Sequence, residues 1–377
     1  MARARPVRTS VKDSHSIDTV YNGNADALWF PVCRKSALER RKVSMLAPET
    51  YLAALSLTIL TMLCWGSWAN TLKLCPGYRF QLFYWDYAIG MAVGAIFWGL
   101  TAGSMGHVGT PFLHDVAQTP IAPMLYAMAG GAIFNVANLL LVAAIDVAGM
   151  AVAFPVGIGL ALVIGAISNY VIKPVGNPVL LFSGVALVVV AIVLDAAAYR
   201  KRETTAKSTT MRGIVISLAC GVLMGCFYPF VARALNGEPG QNAPGPYAVT
   251  LFFTIGLLIS TVPANWLLMK KPLDGRAPVD GGDYWKAPFG WHLAGALGGA
   301  IWCTGGVANF LASGAHLVGP AVSYSIGQGA TMVSACWGVF VWREFAGAPR
   351  AVTVLLVLMF LCFLVGLGSV AIAPLYP

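Results

Sequence analysis

Charged residues are scarce in this sequence. Only 10% of its 377 residues are Asp, Glu, Lys or Arg, whereas 58% are hydrophobic. A soluble domain carries about 25% charged residues. The chain has too little charge to cover a water-soluble globule of its length, which argues against a soluble enzyme. The 41 glycines and 11 tryptophans are instead typical of closely packed membrane helices with aromatic anchors at the membrane surface.

Motifs for catalysis and metal binding are also missing. The sequence has no CxxC, no HExxH, no GxSxG-plus-His set and no Cys/His cluster with zinc spacing. We therefore predict that the protein is not an enzyme and holds no cofactor or metal. The net charge of +9 does not indicate a nucleic-acid partner, because the basic residues lie near the N-terminus and between apolar runs.

Apolar runs of membrane-spanning length fill most of the chain. Each can cross a hydrocarbon core of about 30 Å as a helix, and none shows the period-2 alternation of barrel strands. The sequence therefore predicts an all-α integral membrane protein with ten transmembrane helices and the lipid bilayer as its partner. The ten predicted spans are 50–72, 81–102, 121–144, 147–170, 178–198, 211–233, 246–268, 291–314, 317–342 and 350–373.

The two halves of the chain share short matching segments. Three segments of the first half recur in order in the second, at an offset that drifts only from 168 to 171 residues. Five spans per half is an odd number, so the second copy must cross the membrane upside down. Two inverted five-helix repeats are typical of transporters whose substrate site lies at the repeat interface. The matching pairs are 130–134 with 298–302, 151–159 with 321–329, and 176–178 with 347–349.

Basic residues predict the orientation of the bundle. Loops after odd-numbered spans carry 13 Lys and Arg residues, and loops after even-numbered spans carry 2. The positive-inside rule places the odd-numbered loops in the cytoplasm. The basic N-terminal stretch contradicts this orientation, which would be resolved if Met45 were the biological start.

The predicted domain organisation follows from the repeats. Residues 1–44 form an N-terminal extension that is disordered or a non-native start. The first five-helix repeat covers 45–199, a basic cytoplasmic linker covers 200–210, and the second repeat covers 211–377. The composition and short tails favour the cytoplasmic membrane of a bacterium, and a homodimer is left open.

Three segments carry a family resemblance. Residues 64–73, 79–87 and 153–157 resemble the ureide permease family and its bacterial relatives, within the drug/metabolite transporter superfamily. The resemblance covers residues 45–373. It implies ten helices in two inverted repeats and small polar solutes as cargo, with plant members carrying ureides and nucleobases together with protons. The loop 199–210 departs from the plant members, whose central loop is long.

Asp86 is the most informative acidic residue. It lies about five residues into the second span, where a carboxylate is costly unless it is paired, protonated or facing water. One interpretation is proton coupling or a cation gate. The other is a structural salt bridge to Lys73 or Arg79 at the same end of the bundle.

A second group lies in the first span. Trp65 and Trp68 are three residues apart and share a helix face, and Asn70 and Lys73 follow. Aromatic walls with an amide suit a flat solute that forms hydrogen bonds. The alternative is ordinary helix packing with an interfacial anchor.

Amides and aromatic residues in other spans complete the candidate site. Asn135 and Asn138 share a face of the third span and either line a cavity or hydrogen-bond across helices. In the ninth span, Tyr324 and Gln328 are polar where the first repeat has Phe154 and Ile158, which favours substrate contact over helix packing. Two further aromatic residues in spans six and eight are expected to face the cavity, namely Tyr228 and Trp302.

These patterns predict a secondary active transporter of a small polar metabolite, nucleobase-, ureide- or sugar-like. Alternating access between the repeats and protons as coupling ion are part of this prediction. An exporter of amphipathic or drug-like compounds is the alternative, with an apolar aromatic cavity that holds fewer amides. A membrane-embedded enzyme and a transporter-like receptor are less consistent with the sequence.

Overall fold

The structure, a computed structural model, describes residues 45–202, 211–237, 243–315 and 317–376. The predicted N-terminal extension 1–44 lies outside the described residues, and so do residues 203–210 of the predicted linker. The first three residues of that linker, 200–202, are the last turn of a long helix.

The described part of the chain is α-helical, and its only strand-like pairing is an isolated bridge between Met45 and Val108. Short 3₁₀ segments at Trp68–Leu74, Ala102–Ser104 and Ala373–Leu375 and π-helical segments at Phe154–Gly159 and Trp337–Val341 extend or join the α-helices. The α-helices are α1 (Tyr51–Ser67), α2 (Phe80–Leu100), α3 (Phe112–Gln118), α4 (Ile121–Ala148), α5 (Met150–Ala153), α6 (Leu160–Ile172), α7 (Pro178–Arg202), α8 (Met211–Asn236), α9 (Pro246–Lys270), α10 (Gly282–Lys286), α11 (Phe289–Gly314), α12 (Pro320–Gly327), α13 (Ala330–Cys336) and α14 (Arg350–Ile372).

Among the described residues, nine helical segments are long and apolar enough to cross a membrane. They correspond to nine of the ten predicted spans. A helix satisfies its backbone groups internally, which a lipid environment requires. The chain is therefore an integral, multi-pass membrane protein of the all-α class, as the sequence predicts.

The remaining predicted span, 317–342, is divided into α12, α13 and the π-helical segment Trp337–Val341. Between α12 and α13 the backbone tightens, because Gly329 N donates to Ile326 O and Met332 N donates to Gly329 O. Two glycines flank Gln328 here and weaken the helix. A ten-helix count therefore stays a prediction.

The helices pack in a small number of extensive pairs. Helix α4 packs against α8 and α9, while α11 packs against α1 and α2. Helix α6 packs against α8, and α12 and α13 pack against α1. Helix α7 packs mainly against α14, and it also contacts α5, α6 and the π-helical segment Phe154–Gly159. The core between α1, α4, α8 and α11 is where polar and aromatic side chains converge.

Glycine permits the closest helix crossings. A Cβ on Gly131 of α4 would lie 1.9 Å from the carbonyl oxygen of Phe253 on α9. A Cβ on Gly299 of α11 would lie 2.0 Å from the carbonyl oxygen of Tyr87 on α2. Any larger residue would force these helices apart.

Two helix starts also depend on glycine. Gly149 precedes α5 with φ 77°, and Gly319 precedes α12 with φ 79°. Both residues therefore occupy the positive-φ region that side chains with a Cβ rarely adopt. Each turn directs the chain back into the bundle immediately after a long helix.

Candidate functional site

A cavity of about 380 Å³ lies between the helices of the core. Its volume falls within the range of pockets that hold small molecules. The lining is contributed by α1 with its 3₁₀ extension, α2, α4, the π-helical segment after α5, α8, α11 and the α12–α13 region. The lining residues are Trp65, Gly66, Trp68, Ala69, Leu72, Phe80, Phe134, Asn138, Leu141, Val142, Ile145, Asp146, Phe154, Ile158, Met224, Phe227, Trp302, Gln328, Ala330, Thr331 and Ser334.

The cavity runs from the middle of the bundle to one end. On α4 its lining begins at Phe134, midway along the helix, and continues to Asp146 near the last turn. Leu72 and Phe80, which flank the loop between the first two spans, also line it. These ends carry the basic loops, so the cavity extends towards the predicted cytoplasmic side.

Aromatic rings form the inner end of the cavity. Trp65 stacks on Trp302 with ring centroids 5.2 Å apart and an interplanar angle of 15°. The indole nitrogen of Trp65 donates to the carbonyl oxygen of Trp302 at 3.3 Å, which holds the stack in place. Phe134 packs on Trp302 at 4.3 Å and against Phe227 at 5.3 Å. This floor is apolar and consists of closely packed rings.

Two amides supply directional polarity in the lining. Asn138 is buried on α4, and its Nδ2 donates to the hydroxyl of Tyr84 at 3.4 Å, which is a long hydrogen bond. Gln328 lies between α12 and α13, and no hydrogen bond from its side chain to another described residue occurs. Thr331 and Ser334 add hydroxyl groups on the same wall. The amide of Gln328 is therefore available to a solute.

A charged group stands at the cavity mouth. Asp146 accepts from Arg276 at 3.0 Å, and Arg276 also pairs with Asp274. Burial alone would raise the pKa of Asp274, but hydrogen bonds and charge from Arg276 outweigh burial and lower it. The loop after α9 is thus tied to the end of α4 beside the entrance.

The opposite side of the floor is sealed by buried polar contacts and rings. Tyr228 on α8 donates to Asn309 on α11, and Asn309 Nδ2 donates to the carbonyl oxygen of Ser323 at 3.0 Å. Thr61 on α1 donates to the carbonyl oxygen of Gly305 at 2.9 Å. These contacts join α1, α8, α11 and α12 beyond the cavity. This layer is therefore hydrogen-bonded across four helices.

Four of the ten predicted site residues line the cavity. The structure places Trp65, Asn138, Trp302 and Gln328 there. The cavity thus contains the predicted mixture of aromatic rings and amides, but only two of the four predicted amide side chains line it. The other six residues are engaged in contacts with the protein, namely Asn70, Lys73, Asp86, Asn135, Tyr228 and Tyr324.

Asn70 and Lys73 lie outside the cavity and join the first span to the segment after α13. The indole nitrogen of Trp342 donates to Asn70 Oδ1 at 2.6 Å. Lys73 Nζ lies 2.6 Å from Glu344 Oε1 and 4.7 Å from the ring centre of Trp342. Burial alone would raise the pKa of Glu344, but the hydrogen bonds from Lys73 and Tyr199 and the nearby cations lower it.

Asp86 is buried, and neither predicted partner reaches it. Tyr284 on α10 donates to Asp86 Oδ1 at 2.6 Å, and His292 Nδ1 lies 2.9 Å from Asp86 Oδ2. Lys73 is paired with Glu344 instead, and Arg79 donates to a backbone carbonyl oxygen. The predicted salt bridge to Lys73 or Arg79 is therefore wrong. Burial, followed by the hydrogen bond to Asp86, raises the pKa of the Tyr284 hydroxyl.

Asn135 serves helix packing. Its Oδ1 accepts from Tyr84 at 2.9 Å and from Thr261 at 3.0 Å, and its Nδ2 donates to Ser260 at 2.9 Å. Because all of these bonds run to α2 and α9, the side chain faces away from the cavity. The structure thus places Asn135 in contacts between helices and outside the cavity lining.

Tyr228 and Tyr324 are fully buried in the seal. Tyr324 donates to the carbonyl oxygens of Ala161 at 3.1 Å and Met224 at 3.2 Å, which joins α12 to α6 and α8. The substrate-contact interpretation of Tyr324 is not supported by this geometry.

Several functional positions carry no clear signal in the sequence. Phe134, Phe154 and Phe227 look like ordinary apolar residues of spans, yet they line the cavity. Asn309 and His292 lie on α11, and the repeat pattern does not single them out. An isolated polar residue in an apolar run is the one signal that could have identified Asn309.

The fold and the cavity define a class: an α-helical integral membrane protein with a solute-sized pocket that reaches one end of the bundle. The model of the family "Ureide permease" matches residues 83–207. Ureide permease 1 of Arabidopsis thaliana is 23% identical over 381 residues, covering 84% of this chain and 95% of the relative. Ureide permease 2 of the same plant is 24% identical, covering 82% and 94%.

These matches confirm the resemblance to the ureide permease family. Members of that family are transporters rather than enzymes, in agreement with the prediction from the missing catalytic motifs. A solved crystal structure also matches with a TM-score of 0.54 and 17% identity, covering 83% of this chain and 96% of that one. At this identity the match concerns the fold alone.

Proposed function

We propose that the protein is a secondary active transporter of a small polar metabolite, ureide- or nucleobase-like, and that it works by alternating access. The observation that carries this proposal is the asymmetry of the bundle. The cavity reaches the predicted cytoplasmic end, and beyond the Trp65–Trp302 floor the helices are joined by buried contacts. Such an arrangement corresponds to the inward-facing state of a transport cycle.

The helix contacts support two five-helix repeats. In the repeat scheme, α4 is the third span and α11 the eighth. Helix α4 packs on α8 and α9, the sixth and seventh spans, whereas α11 packs on α1 and α2, the first and second. When each span is replaced by its counterpart in the other half, the same pairs of packed spans result.

Equivalent glycines support the same scheme. Gly131 approaches the backbone of Phe253, and Gly299, 168 positions later, approaches the backbone of Tyr87. Gly149 and Gly319 are 170 positions apart and have φ of 77° and 79°. We therefore retain the repeats 45–199 and 211–377 as the units that rock against each other.

The floor and the amides favour a flat solute that forms hydrogen bonds. A planar ring can stack on the partly exposed Trp65, whose indole is itself supported by Trp302, as aromatic pairs prefer. Gln328 and Asn138 can then bond its carbonyl and N–H groups at the edge. Ureides and nucleobases have this chemistry, and the named relatives are ureide permeases.

We further propose that transport is coupled to protons, with Asp86 as one candidate for coupling. Asp86 lies on α2, while its partner His292 lies on α11, so the pair bridges the proposed repeats. Binding or release of a proton at either residue would alter this bridge between the proposed repeats. The pair lies outside the cavity, so its effect would act through helix position.

Export of an amphipathic compound is a second candidate function. Most of the lining is apolar, and two of the amides expected there, on Asn70 and Asn135, serve protein contacts instead. A cavity with few amides suits a larger apolar solute. The bacterial cytoplasmic membrane and a homodimer stay predictions.

Uptake into proteoliposomes tests these proposals. The labelled panel consists of allantoin, uracil, xanthine, a hexose and a cationic dye, each with and without an inward proton gradient. Gradient-driven uptake of a ureide or nucleobase is the expected result. Movement of the dye alone would replace the proposal with the export function, and Asp86→Asn that keeps its full gradient response would remove Asp86 from coupling.

A matched pair of variants tests the cavity itself. Gln328→Met removes a lining amide at nearly constant volume, and Gln118→Met makes the same change at an exposed position on α3. We expect Gln328→Met to raise KM about tenfold, because the loss of one hydrogen bond of about 1.4 kcal/mol weakens binding tenfold. Gln118→Met is expected to leave KM unchanged. Equal KM values for the two variants would place the binding site elsewhere.

A further inference from the structure

A second buried carboxyl group lies on α7, at residue Asp195. It sits about two helical turns before the end of this helix, within a membrane-spanning segment. The residue is 1% exposed, and its Oδ1 has no hydrogen-bond partner among the described residues. Asp195 does not line the cavity and is not one of the ten predicted site residues. Neither role therefore accounts for an acidic residue at this position.

The surroundings of Asp195 contain few groups that could balance its charge. Tyr199, one turn further along α7, and Glu344, after the π-helical segment Trp337–Val341, act on it electrostatically. The π-helical segment Phe154–Gly159, which packs on α7, contributes no titratable side chain. Helix α14 contributes Arg350 in its exposed first turn and Cys362 further along. Helix α6 contributes Tyr170, with Lys173 just after its end, and both lie at the opposite end of the bundle from Arg202.

A hydrogen-bonded chain leads from this region to the surface. Tyr199 donates to Glu344 Oε2 at 3.0 Å, and Glu344 Oε1 accepts from Lys73 at 2.6 Å. Arg202 lies 3.8 Å from Glu344, and the side chain of Lys73 is 43% exposed. Lys73 and Arg202 belong to the basic loops of the predicted cytoplasmic end. Asp195 thus lies one helical turn deeper in the membrane-spanning segment than Tyr199, where a hydrogen-bonded chain to the exposed Lys73 begins.

An unpaired carboxylate at membrane depth is costly, and a neutral carboxyl group avoids that cost. The negative charge of Glu344 adds repulsion to a second negative charge at Asp195. Asp86 differs, because the Tyr284 hydroxyl and His292 Nδ1 lie within hydrogen-bond distance of its two oxygens. The environment of Asp195 therefore favours a bound proton, whereas Asp86 has a partner at each oxygen.

We propose that Asp195 is a proton-binding site of the transport cycle, loaded and unloaded from the predicted cytoplasmic face past Tyr199, Glu344 and Lys73. Its coupling role rests on the transport function proposed above. The proton passes from water to a carboxylate oxygen of Asp195, which becomes neutral, and returns by the same route. Helix α7 packs behind the π-helical segment whose Phe154 and Ile158 line the cavity, so a charge change there can alter the cavity wall.

Infrared difference spectroscopy on the full-length protein in lipid vesicles tests proton binding without any solute. We expect a protonated-carboxyl C=O band at neutral pH that disappears on alkalinisation, is absent in Asp195→Asn and persists in Asp86→Asn. A band that survives in Asp195→Asn would overturn the proposal. So would a band that disappears on exchanging choline for sodium at constant pH, because the site would then bind a metal cation.

Glu344→Gln supplies a second variant in case Asp195→Asn does not fold. Removing the neighbouring negative charge makes ionisation of Asp195 easier, so the band should disappear at a pH about 1 unit lower. An unchanged titration would show that Asp195 does not sense Glu344 and would remove the proposed route.

Allantoin transport then separates coupling from transport. In Asp195→Asn we expect allantoin counterflow to continue, while acceleration of its uptake by an inward proton gradient falls at least tenfold. Full gradient acceleration in this variant would contradict the coupling role. If wild-type protein moved no allantoin at all, the transport function would fail on this probe, and the infrared titration would still decide whether Asp195 binds a proton.

Discussion

Asp86 and Asp195 are both buried acids on membrane-spanning helices, but their surroundings differ in kind. Asp86 Oδ1 accepts from Tyr284, and its Oδ2 meets His292. Asp195 has one oxygen with no hydrogen-bond partner in the part of the chain that the structure describes, and a neighbouring anion. The partners of Asp86 come from other helices and can stabilise a charge on it. For the carboxyl group of Asp195, the neutral form has the lower free energy. Depth in the membrane alone therefore does not reveal what an acidic residue does.

The largest expected effect is the loss of the Asp86 cluster. Asp86→Ala leaves the half-buried Tyr284 and His292 without their shared partner, and we expect a loss of about 3 kcal/mol in the free energy of unfolding. Unfolding in mixed micelles measures it. Asp283→Ala, which removes an exposed ion pair with Lys286, should cost less than about 1 kcal/mol. Similar losses in both variants would contradict the difference between the two sites.

Removing one donor should have a smaller effect. Tyr284→Phe deletes the hydroxyl that bonds Asp86 at 2.6 Å and keeps the ring against His292. A hydrogen bond to a charged group contributes about 1.5–3 kcal/mol, and the second partner of Asp86 should hold the loss to the lower end. The same micelle titration measures the loss. A variant as stable as the wild type would mean that His292 alone satisfies the carboxylate.

Asp195→Asn should change stability by less than about 1 kcal/mol, because no hydrogen bond of Asp195 Oδ1 is lost. The amide has nearly the shape of the neutral carboxyl group, so packing is retained. Thermal denaturation of the two proteins side by side tests this expectation. A loss comparable with that of Asp86→Ala would reveal a partner and would remove the contrast between the two acids.

The smallest expected change in stability is that of Lys73→Met, at the surface end of the hydrogen-bonded chain of Tyr199, Glu344 and Lys73. Lys73→Met removes the ion pair with Glu344, whose exposure limits its contribution to about 0.5 kcal/mol at neutral pH. The pair lowers the pKa of Glu344, so its stabilisation is present above the ordinary glutamate pKa of about 4.3 and is lost as the pH falls through the lower folded value. Melting curves of wild type and Lys73→Met should therefore converge in acid. A difference that persists there would indicate packing of the Lys73 stem on Trp342 instead.

The cavity residues that the sequence predicted each combine a polar or aromatic side chain with a position inside a span. Trp65, Trp302, Asn138 and Gln328 are polar or aromatic residues in the middle of spans, and the structure brings them to one cavity. Asn70 and Lys73 are polar too but lie at the end of the first span, and their contacts with Trp342 and Glu344 join positions 272 and 271 residues apart. His292 lies 206 residues from Asp86. No local pattern encodes a pairing over such a distance.

The sequence by itself determined the membrane-spanning class and most of the helix boundaries, because long apolar runs in lipid must satisfy their backbone groups within a helix. The tertiary structure decided which polar side chains face the cavity and which bond to other helices. It also decided that Asp86 has two partners, while Asp195 Oδ1 has none among the residues described by the structure. The reason is physical: the cost of a buried polar group depends on what lies within about 3 Å of it, and those neighbours come from distant segments.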